Sequence, residues 1–177
     1  MENIERRVKL FTAILFNSES LLNEGCKLLE EHFGEIDFRG RAHNFDKTNY
    51  YEREMGTDLK RCFISFEKLI LPEQLPQIRL TTGEIERELS QNELRRLNID
   101  PGYIDYMKVI LASCKYGPHK IYLDHGVYAD LTLIYSKGKY NTFPWSFPDF
   151  QNLEYHKELI KIREKFKQSN RRATCQK

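Results

Sequence analysis

The stretch VKLFTAILF, residues 8–16, decides the fold because both of its alternating sets of positions are rich in apolar side chains. A strand with one face in water alternates apolar and polar residues, whereas a strand covered on both faces is apolar almost throughout. We therefore predict a central β-strand over residues 8–16 that is buried from both sides.

A helix and a second strand are predicted directly after this stretch. Asn17 and Ser18 can cap a helix whose apolar residues recur at helical spacing as far as Phe33, and Gly34 supplies its C-terminal stop. Residues 36–42 then alternate apolar and polar side chains, which predicts a strand with one wet face. The chain is therefore expected to open as strand, helix, strand.

The later elements are predicted from the same periodicities. Asp100-Pro101-Gly102 is a strong turn signal, so the strand before it is expected to end there. The apolar spacing between Tyr103 and Cys114 is the clearest helical pattern in the chain. After residue 60 the sequence predicts a strand at 61–66, a helix at 73–90, a strand at 94–99, a helix at 103–114, a hairpin of 120–123 with 127–135, and a helix at 153–166.

Together these elements predict a single α+β domain. We expect a sandwich in which helices pack on one face of a mixed or mostly antiparallel sheet. A ferredoxin-like arrangement of the core is one topology that fits this description. The globular domain is expected to span residues 1–168. Residues 169–177, which include Arg171 and Arg172, are expected to form a flexible basic tail.

Composition and missing motifs narrow the class of function. The 28 basic and 26 acidic residues give a net charge of +2, which disfavours a general nucleic-acid binder. The four cysteines are widely separated and form no CxxC pair, so neither a zinc ribbon nor a thioredoxin-type site is predicted. The Walker A, GxGxxG, HExxH and GxSxG motifs are all absent. Because the first residues contain no apolar signal core and no apolar run is long enough to span a membrane, a cytoplasmic location is expected.

The first polar segment that can form a site is residues 44–56. If residues 48–55 form a helical turn, Tyr50 and Glu54 share one face and Asp46 lies just before the N-terminus of the turn. Lys60 and Arg61 follow closely, so a phenol, two carboxylates and two cations can converge on a polar ligand. The alternative is an aromatic loop that packs its rings on the sheet.

The second polar segment is residues 98–103, at a predicted junction of strand and helix. Exposed amides at a helix start attract anions, and ligands of open sheets gather at strand ends. The candidate ligand-binding residues here are Asp100 and Tyr103, with Lys108 further along. The alternative is that Asp100 only caps the helix.

The third polar segment joins His119 and Lys120 to Asp130 across the predicted hairpin. Asp130 is unusual on a strand face that is expected to be buried, and His119 could act as a general base or as a metal ligand. The alternative is a structural histidine. By spacing alone, a divalent metal could be held by a set of five side chains, namely Asp46, Glu54, Asp100, His119 and Asp130.

These segments lead us to expect a protein that binds a small anionic ligand, such as a nucleotide or another phosphorylated metabolite. Basic side chains would hold the phosphate or carboxylate, and the candidates for proton transfer are Glu54, His119 and Asp130. The sequence leaves open whether the chain is an enzyme. One alternative is a non-catalytic adaptor that binds a protein partner through an aromatic surface. A less favoured alternative is RNA binding by aromatic stacking.

A family resemblance is carried by six stretches: KLFTAILF, FGEIDF, NFDKTNYYEREMGTDLKRCFISFEKLI, NIDPGYIDYMKVILAS, HKIYLDHGVYADLTLIY and PWSFPDF. They resemble a bacterial family known as a domain of unknown function, DUF4416, over residues 8–166. Some members of that family carry the label GTP-binding protein, so the resemblance implies nucleotide or GTP binding. The chain has neither a Walker A loop nor an N-K-x-D motif, so a GTP site here would have to be unconventional.

Overall fold

The computed structural model describes residues 6–46, 48 and 50–175, and within them nine strands form one antiparallel sheet. The strands are β1 (Val8–Phe16), β2 (Ile36–Arg39), β3 (His43–Asn44), β4 (Lys60–Ile70), β5 (Asn98–Ile104), β6 (Lys108–Ser113), β7 (Lys120–Asp124), β8 (Val127–Ser136) and β9 (Lys139–Thr142). The helices are α1 (Glu19–Phe33), α2 (Glu52–Met55), α3 (Leu75–Glu88) and α4 (Leu153–Cys175), with 3-10 turns at Pro72–Gln74 and Pro148–Gln151.

The strands follow the order β2-β4-β1-β5-β6-β8-β7, with β3 paired to β4 and β9 paired to β8. Helix α1 connects β1 to β2, and α3 connects β4 to β5. The α+β fold with an antiparallel sheet is therefore confirmed. The ferredoxin-like core stays a prediction.

Helices cover both faces of the sheet, because β1 presents apolar side chains in both directions. Leu10 and Ile14 pack in a core cluster with residues of α1 and α3. Phe11 and Ala13 pack in a second cluster with residues of α4. The prediction of a doubly buried central strand is confirmed, and the expectation of helices on one face is wrong.

Residues 98–113 form two strands rather than a turn and a helix. Strand β5 runs without a break through Asp100-Pro101-Gly102 and pairs with β1 along this segment. The turn lies instead at Asp105, whose side chain accepts hydrogen bonds from the backbone N–H groups of Met107 and Lys108 at 2.7 and 2.9 Å. The predicted turn at 100–102 and the predicted helix at 103–114 are therefore both wrong.

Gly102 is required by the packing of neighbouring strands. A Cβ atom at this position would lie 2.3 Å from the carbonyl oxygen of Ile110 on β6 and 2.9 Å from a ring carbon of Phe11 on β1. Such a close approach is a normal reason for glycine inside a strand. The Pro-Gly pair thus marks tight packing and not a reversal of the chain.

The other predicted elements are present with changed lengths. Ser18 caps α1, and Gly34 ends it at a φ of 90°. Strand β2 stops at Arg39, three residues short of the predicted end. Helix α4 continues through residues 169–175, part of the segment expected to be a tail, and residues 176 and 177 lie outside the described residues. No helix among the described residues combines the length and the apolar character needed to cross a membrane.

Candidate functional site

One cavity of about 420 Å³ receives side chains from all three polar segments. This volume falls within the usual range for small-molecule sites. Strands β4, β5, β6, β7 and β8 supply one wall, and a second wall is supplied by residues 147–150 together with Phe45, Thr48, Tyr50 and Tyr51. The lining residues are Phe45, Thr48, Tyr50, Tyr51, Arg61, Arg79, Arg95, Asn98, Asp100, Leu111, Ala112, Ser113, Cys114, Lys115, Lys120, Asp130, Phe147, Pro148, Asp149 and Phe150.

Arg61 is a buried cation in the cavity wall. Its Nη1 lies 3.3 Å from Oδ2 of Asp100, and its Nε lies 3.1 Å from Oδ2 of Asp149. The second contact has the distance of an ion pair but not the alignment of a hydrogen bond. The guanidinium also lies 5.1 Å from the ring centroid of Phe45 and 5.9 Å from that of Phe150. Arg61 therefore joins β4, β5 and the 3-10 turn at Pro148–Gln151.

Burial and charge pairing act in opposite directions on this cluster. Burial alone would lower the pKa of Arg61, but Asp149 and Asp100 more than offset it, so the net pKa is raised. Burial raises the pKa of Asp149, and Arg61 opposes that rise. Arg61 therefore stays charged although it is buried, because it lies beside two carboxylates.

Arg95 joins the segment before β5 to helix α2. It donates hydrogen bonds to Oδ1 of Asn98 at 2.7 Å and to Oε2 of Glu54 at 2.6 Å. The hydrogen bond from Arg95 lowers the pKa of Glu54. Asn98 in turn donates to Oδ2 of Asp100 at 2.8 Å. The first and second polar segments are thus connected through a residue that belongs to neither.

Glu86 is a buried carboxyl close to two cavity arginines. Its Oε1 accepts a hydrogen bond from the backbone N–H of Ile99 at 2.6 Å. Arg79 and Arg95 each place a guanidinium nitrogen 3.9 Å from a Glu86 oxygen. Burial raises the pKa of Glu86 to about 7, although Arg79 acts to lower it.

Lys120 and Asp130 form the third part of the wall. Lys120 Nζ donates to Oγ of Ser113 at 2.9 Å and lies 3.3 Å from Oδ2 of Asp130. The two residues face each other in the β7–β8 register, and Asp130 also faces Leu111 of β6. Asp130 is buried, as the strand pattern suggested, and Lys120 is the cation beside it.

Lys115 and Tyr50 stand at an exposed part of the lining. Lys115 Nζ donates a hydrogen bond to the Tyr50 hydroxyl oxygen at 2.8 Å. This hydrogen bond lowers the pKa of Tyr50. Tyr50 also meets Tyr51 edge to face at a centroid distance of 5.0 Å. Lys115 and the two tyrosines thus place a cation beside two aromatic rings in the cavity lining.

The structure therefore gathers five of the predicted ligand-binding residues around one cavity. Two other predicted residues remain next to it without lining it. Glu54 contacts the cavity only through its hydrogen bond with Arg95. His119 has its Nε2 3.8 Å from Oδ1 of Asp130. The His119 ring stacks on Trp145 in a separate shallow depression. The five residues that line the cavity are Tyr50, Arg61, Asp100, Lys120 and Asp130.

Four predicted residues are not brought to the cavity. Lys60 is exposed on β4, and Asp46 is exposed beyond the cavity lining. Tyr103 packs against the apolar core. Lys108 pairs with Asp105 in the β5–β6 turn. The last two were assigned to a site because residues 103–114 were expected to be a helix that begins beside Asp100.

Sequence reasoning missed several lining residues that carry charge or hydrogen-bonding groups. Arg79 lies in α3 and Arg95 follows it, outside the three polar segments, while Ser113 ends β6 and Lys115 comes after it. Their contribution depends on how α3 and β6 are placed, which no local pattern reveals. Asp149 had a usable signal, since a carboxylate within the aromatic loop at 143–150 is out of place unless it has a partner.

A metal site is not assembled from the five side chains suggested by spacing. Among the described residues, no three His, Cys, Asp or Glu side chains are grouped closely enough to hold a metal ion. Asp100 and Asp130 instead have nearby cationic partners, Arg61 and Lys120.

These observations define a single-domain α+β protein with a basic, aromatic-walled cavity of small-molecule size. The model of the family described as domain of unknown function (DUF4416) matches residues 6–166, and the chain belongs to this family. Comparison with curated proteins and comparison with solved structures gave no match.

Proposed function

We propose that this protein binds a small anionic ligand, a nucleotide or another phosphorylated metabolite, in the cavity described above. The observation that carries the proposal is the excess of cations in the lining. Three acidic side chains, Asp100, Asp130 and Asp149, are outnumbered by five basic ones, Arg61, Arg79, Arg95, Lys115 and Lys120.

The burial of these cations supports anion binding. Lys120 is almost entirely buried and Arg95 is about three-quarters buried, with 8% and 26% of their side-chain surfaces exposed. A cation that is partly removed from water interacts more strongly with an incoming anion than a surface cation does. Arginine in addition offers a planar fork of donors that matches phosphate or carboxylate oxygens.

Aromatic side chains in the lining favour a ligand that also has a planar or apolar part. Phe45, Tyr51 and Phe147 belong to the same lining as the cations. Rings of this kind can stack on a nucleobase or pack against a sugar. The proposal concerns binding and includes no reaction step.

The first experiment is a thermal-shift screen of the full chain followed by calorimetry of any hit. The panel contains inorganic phosphate, pyrophosphate, adenine and guanine nucleotides, sugar phosphates and dicarboxylates. A ligand supplied at 100 to 1,000 times its dissociation constant should stabilise the protein by roughly 3–4 kcal/mol. A flat response across the panel would contradict the proposal and favour the adaptor hypothesis.

The matched variants are Lys115→Gln and Lys68→Gln. Lys115 is an exposed lining residue, so its replacement removes one cation at little cost to the fold, whereas Lys68 is an exposed lysine of β4 outside the cavity. Loss of one hydrogen bond to a charged group should weaken binding by about tenfold or more. Lys68→Gln should bind as the wild type does, and an equal effect of both variants would show that only net charge matters.

A further inference from the structure

The sheet face that forms the cavity wall continues outward into a pair of tyrosines. In the β7–β8 register Lys120 faces Asp130, and both residues line the cavity. Two residues further along each strand, and therefore on the same face, Tyr122 faces Tyr128 outside the cavity lining. Ser113 of β6, which lines the cavity, faces Tyr128 from the other side. The tyrosine pair is thus a direct neighbour of the cavity wall.

A third ring extends this pair to a tyrosine platform, which consists of Tyr116, Tyr122 and Tyr128. The ring centroid of Tyr128 lies 6.1 Å from that of Tyr116 and 5.4 Å from that of Tyr122, and both contacts are edge to face. Tyr116 is 78% exposed and Tyr122 is 57% exposed, so much of their ring surface is open to solvent. A contiguous exposed aromatic surface of this kind marks a site of interaction.

Lys115 joins the cavity to the tyrosine platform, because it lines the cavity and directly precedes Tyr116. Its ammonium group donates to the Tyr50 hydroxyl and lies 4.4 Å from the centroid of the Tyr50 ring. Both of these contacts are neutral, whereas the ammonium group of Lys120 lies 3.3 Å from the Asp130 carboxylate. The charge of Lys115 is therefore available to an anion. An exposed cation beside open aromatic rings suits a phosphodiester backbone whose bases stack on those rings.

We propose that the ligand is a short single-stranded oligonucleotide, with a terminal nucleotide in the cavity and the following bases stacked on the tyrosine platform. This inference rests on the proposed function, because it extends the anionic ligand of the cavity by further nucleotides. The cavity volume of about 420 Å³ lies near the lower end of the range for small-molecule sites, so the added nucleotides lie outside it. The platform ends beside Asp124, an exposed carboxylate at the end of β7, which disfavours a longer anionic chain in that direction.

Calorimetric titration of the full chain with 5′-phosphorylated oligothymidylates of one to four nucleotides tests the inference. Stacking of one base on an aromatic ring changes the affinity by about fivefold to 150-fold. The dissociation constant should therefore fall by about fivefold or more between one and three nucleotides. Binding that does not strengthen with length would overturn this inference and leave the proposed function intact. Absence of binding at every length would also overturn it, and the thermal-shift panel then decides the proposed function separately.

The matched variants are Tyr116→Ala and Tyr116→Phe. The readout is the ratio of the dissociation constants for one and three nucleotides, because a partial loss of folded protein does not change this ratio. Alanine removes an exposed ring and should lower the ratio by about fivefold or more, whereas phenylalanine keeps the ring and should preserve the ratio. The control is Leu153→Ala, an exposed position on α4 outside both the cavity and the platform, and it should behave as the wild type does. A ratio that survives the double variant Tyr116→Ala, Tyr122→Ala would assign the length dependence to charge alone and overturn the inference.

Discussion

At the scale of one residue, the pKa of Glu86 depends on both its burial and the two arginines close to it. The carboxyl is close to Arg79 and Arg95, yet burial raises its pKa from the ordinary 4.5 to about 7. The folded protein therefore holds the proton more tightly than the unfolded chain does. The resulting stability is fully present below pH 4.5 and is lost as the pH rises through about 7.

The variant Glu86→Gln makes this dependence measurable. Glutamine keeps an oxygen that can accept the hydrogen bond from Ile99 and carries no charge at any pH. The free energy of unfolding of the wild type, relative to that of the variant, should fall by roughly 3 kcal/mol between pH 4.5 and pH 8. Urea unfolding of both proteins at pH 4.5, 6 and 8 measures the difference. Parallel profiles would contradict a raised pKa at this position.

Asp130 was predictable because it is a carboxylate on a strand face that was expected to be buried, and such a residue needs a partner. Asp100 was assigned to the site for another reason, a helix start that the structure replaces with a continuous strand. Arg79 and Arg95 gave no such signal, because a charged residue in or after an amphipathic helix is ordinarily a solvated one. Their position at the cavity follows from where α3 lies against β5, which is a tertiary property.

At the scale of the element, the segment Tyr103–Cys114 shows why periodicity alone can mislead. Its apolar residues fall at helical spacing, but Tyr103 and Ile104 belong to β5, while Lys108–Ser113 is β6. Strands covered on both faces are apolar throughout, so a pair of them can imitate a helical stripe. Stretches 8–16 and 19–33 avoided this ambiguity because a capping serine and a terminal glycine separate strand from helix.

Two glycines that look alike in sequence should respond to alanine in opposite ways. Gly102→Ala places a methyl group 2.3 Å from the Ile110 carbonyl oxygen, and because that atom is backbone the variant should lose about 1–3 kcal/mol or more. Gly83→Ala lies inside α3 with its nearest neighbour, an Arg79 nitrogen, at 3.7 Å, and should gain about 0.5–1 kcal/mol. Urea unfolding of both variants measures the two signs. Equal effects would show that Gly102 is not required by strand packing.

At the scale of the whole molecule, β1 is the element that the two cores share. Its Leu10 and Ile14 belong to the cluster with α1 and α3, and its Phe11 and Ala13 belong to the cluster with α4. Neither helical layer can leave the sheet without uncovering one face of this strand. The pattern of residues 8–16 predicted the double burial, whereas the assignment of α4 to the second face needed long-range contacts that no local signal carries.

The shared strand predicts that the two layers unfold together. Ile85→Ala removes apolar volume from the α3 side and Leu159→Ala from the α4 side, and each should cost about 2–5 kcal/mol because both residues are fully buried. The single tryptophan, Trp145, reports on the loop before α4, and far-UV circular dichroism reports on the whole chain. Both signals should give one coincident urea transition in each variant. A tryptophan transition that moves with Leu159→Ala but not with Ile85→Ala would show instead that the α4 layer unfolds independently of the rest.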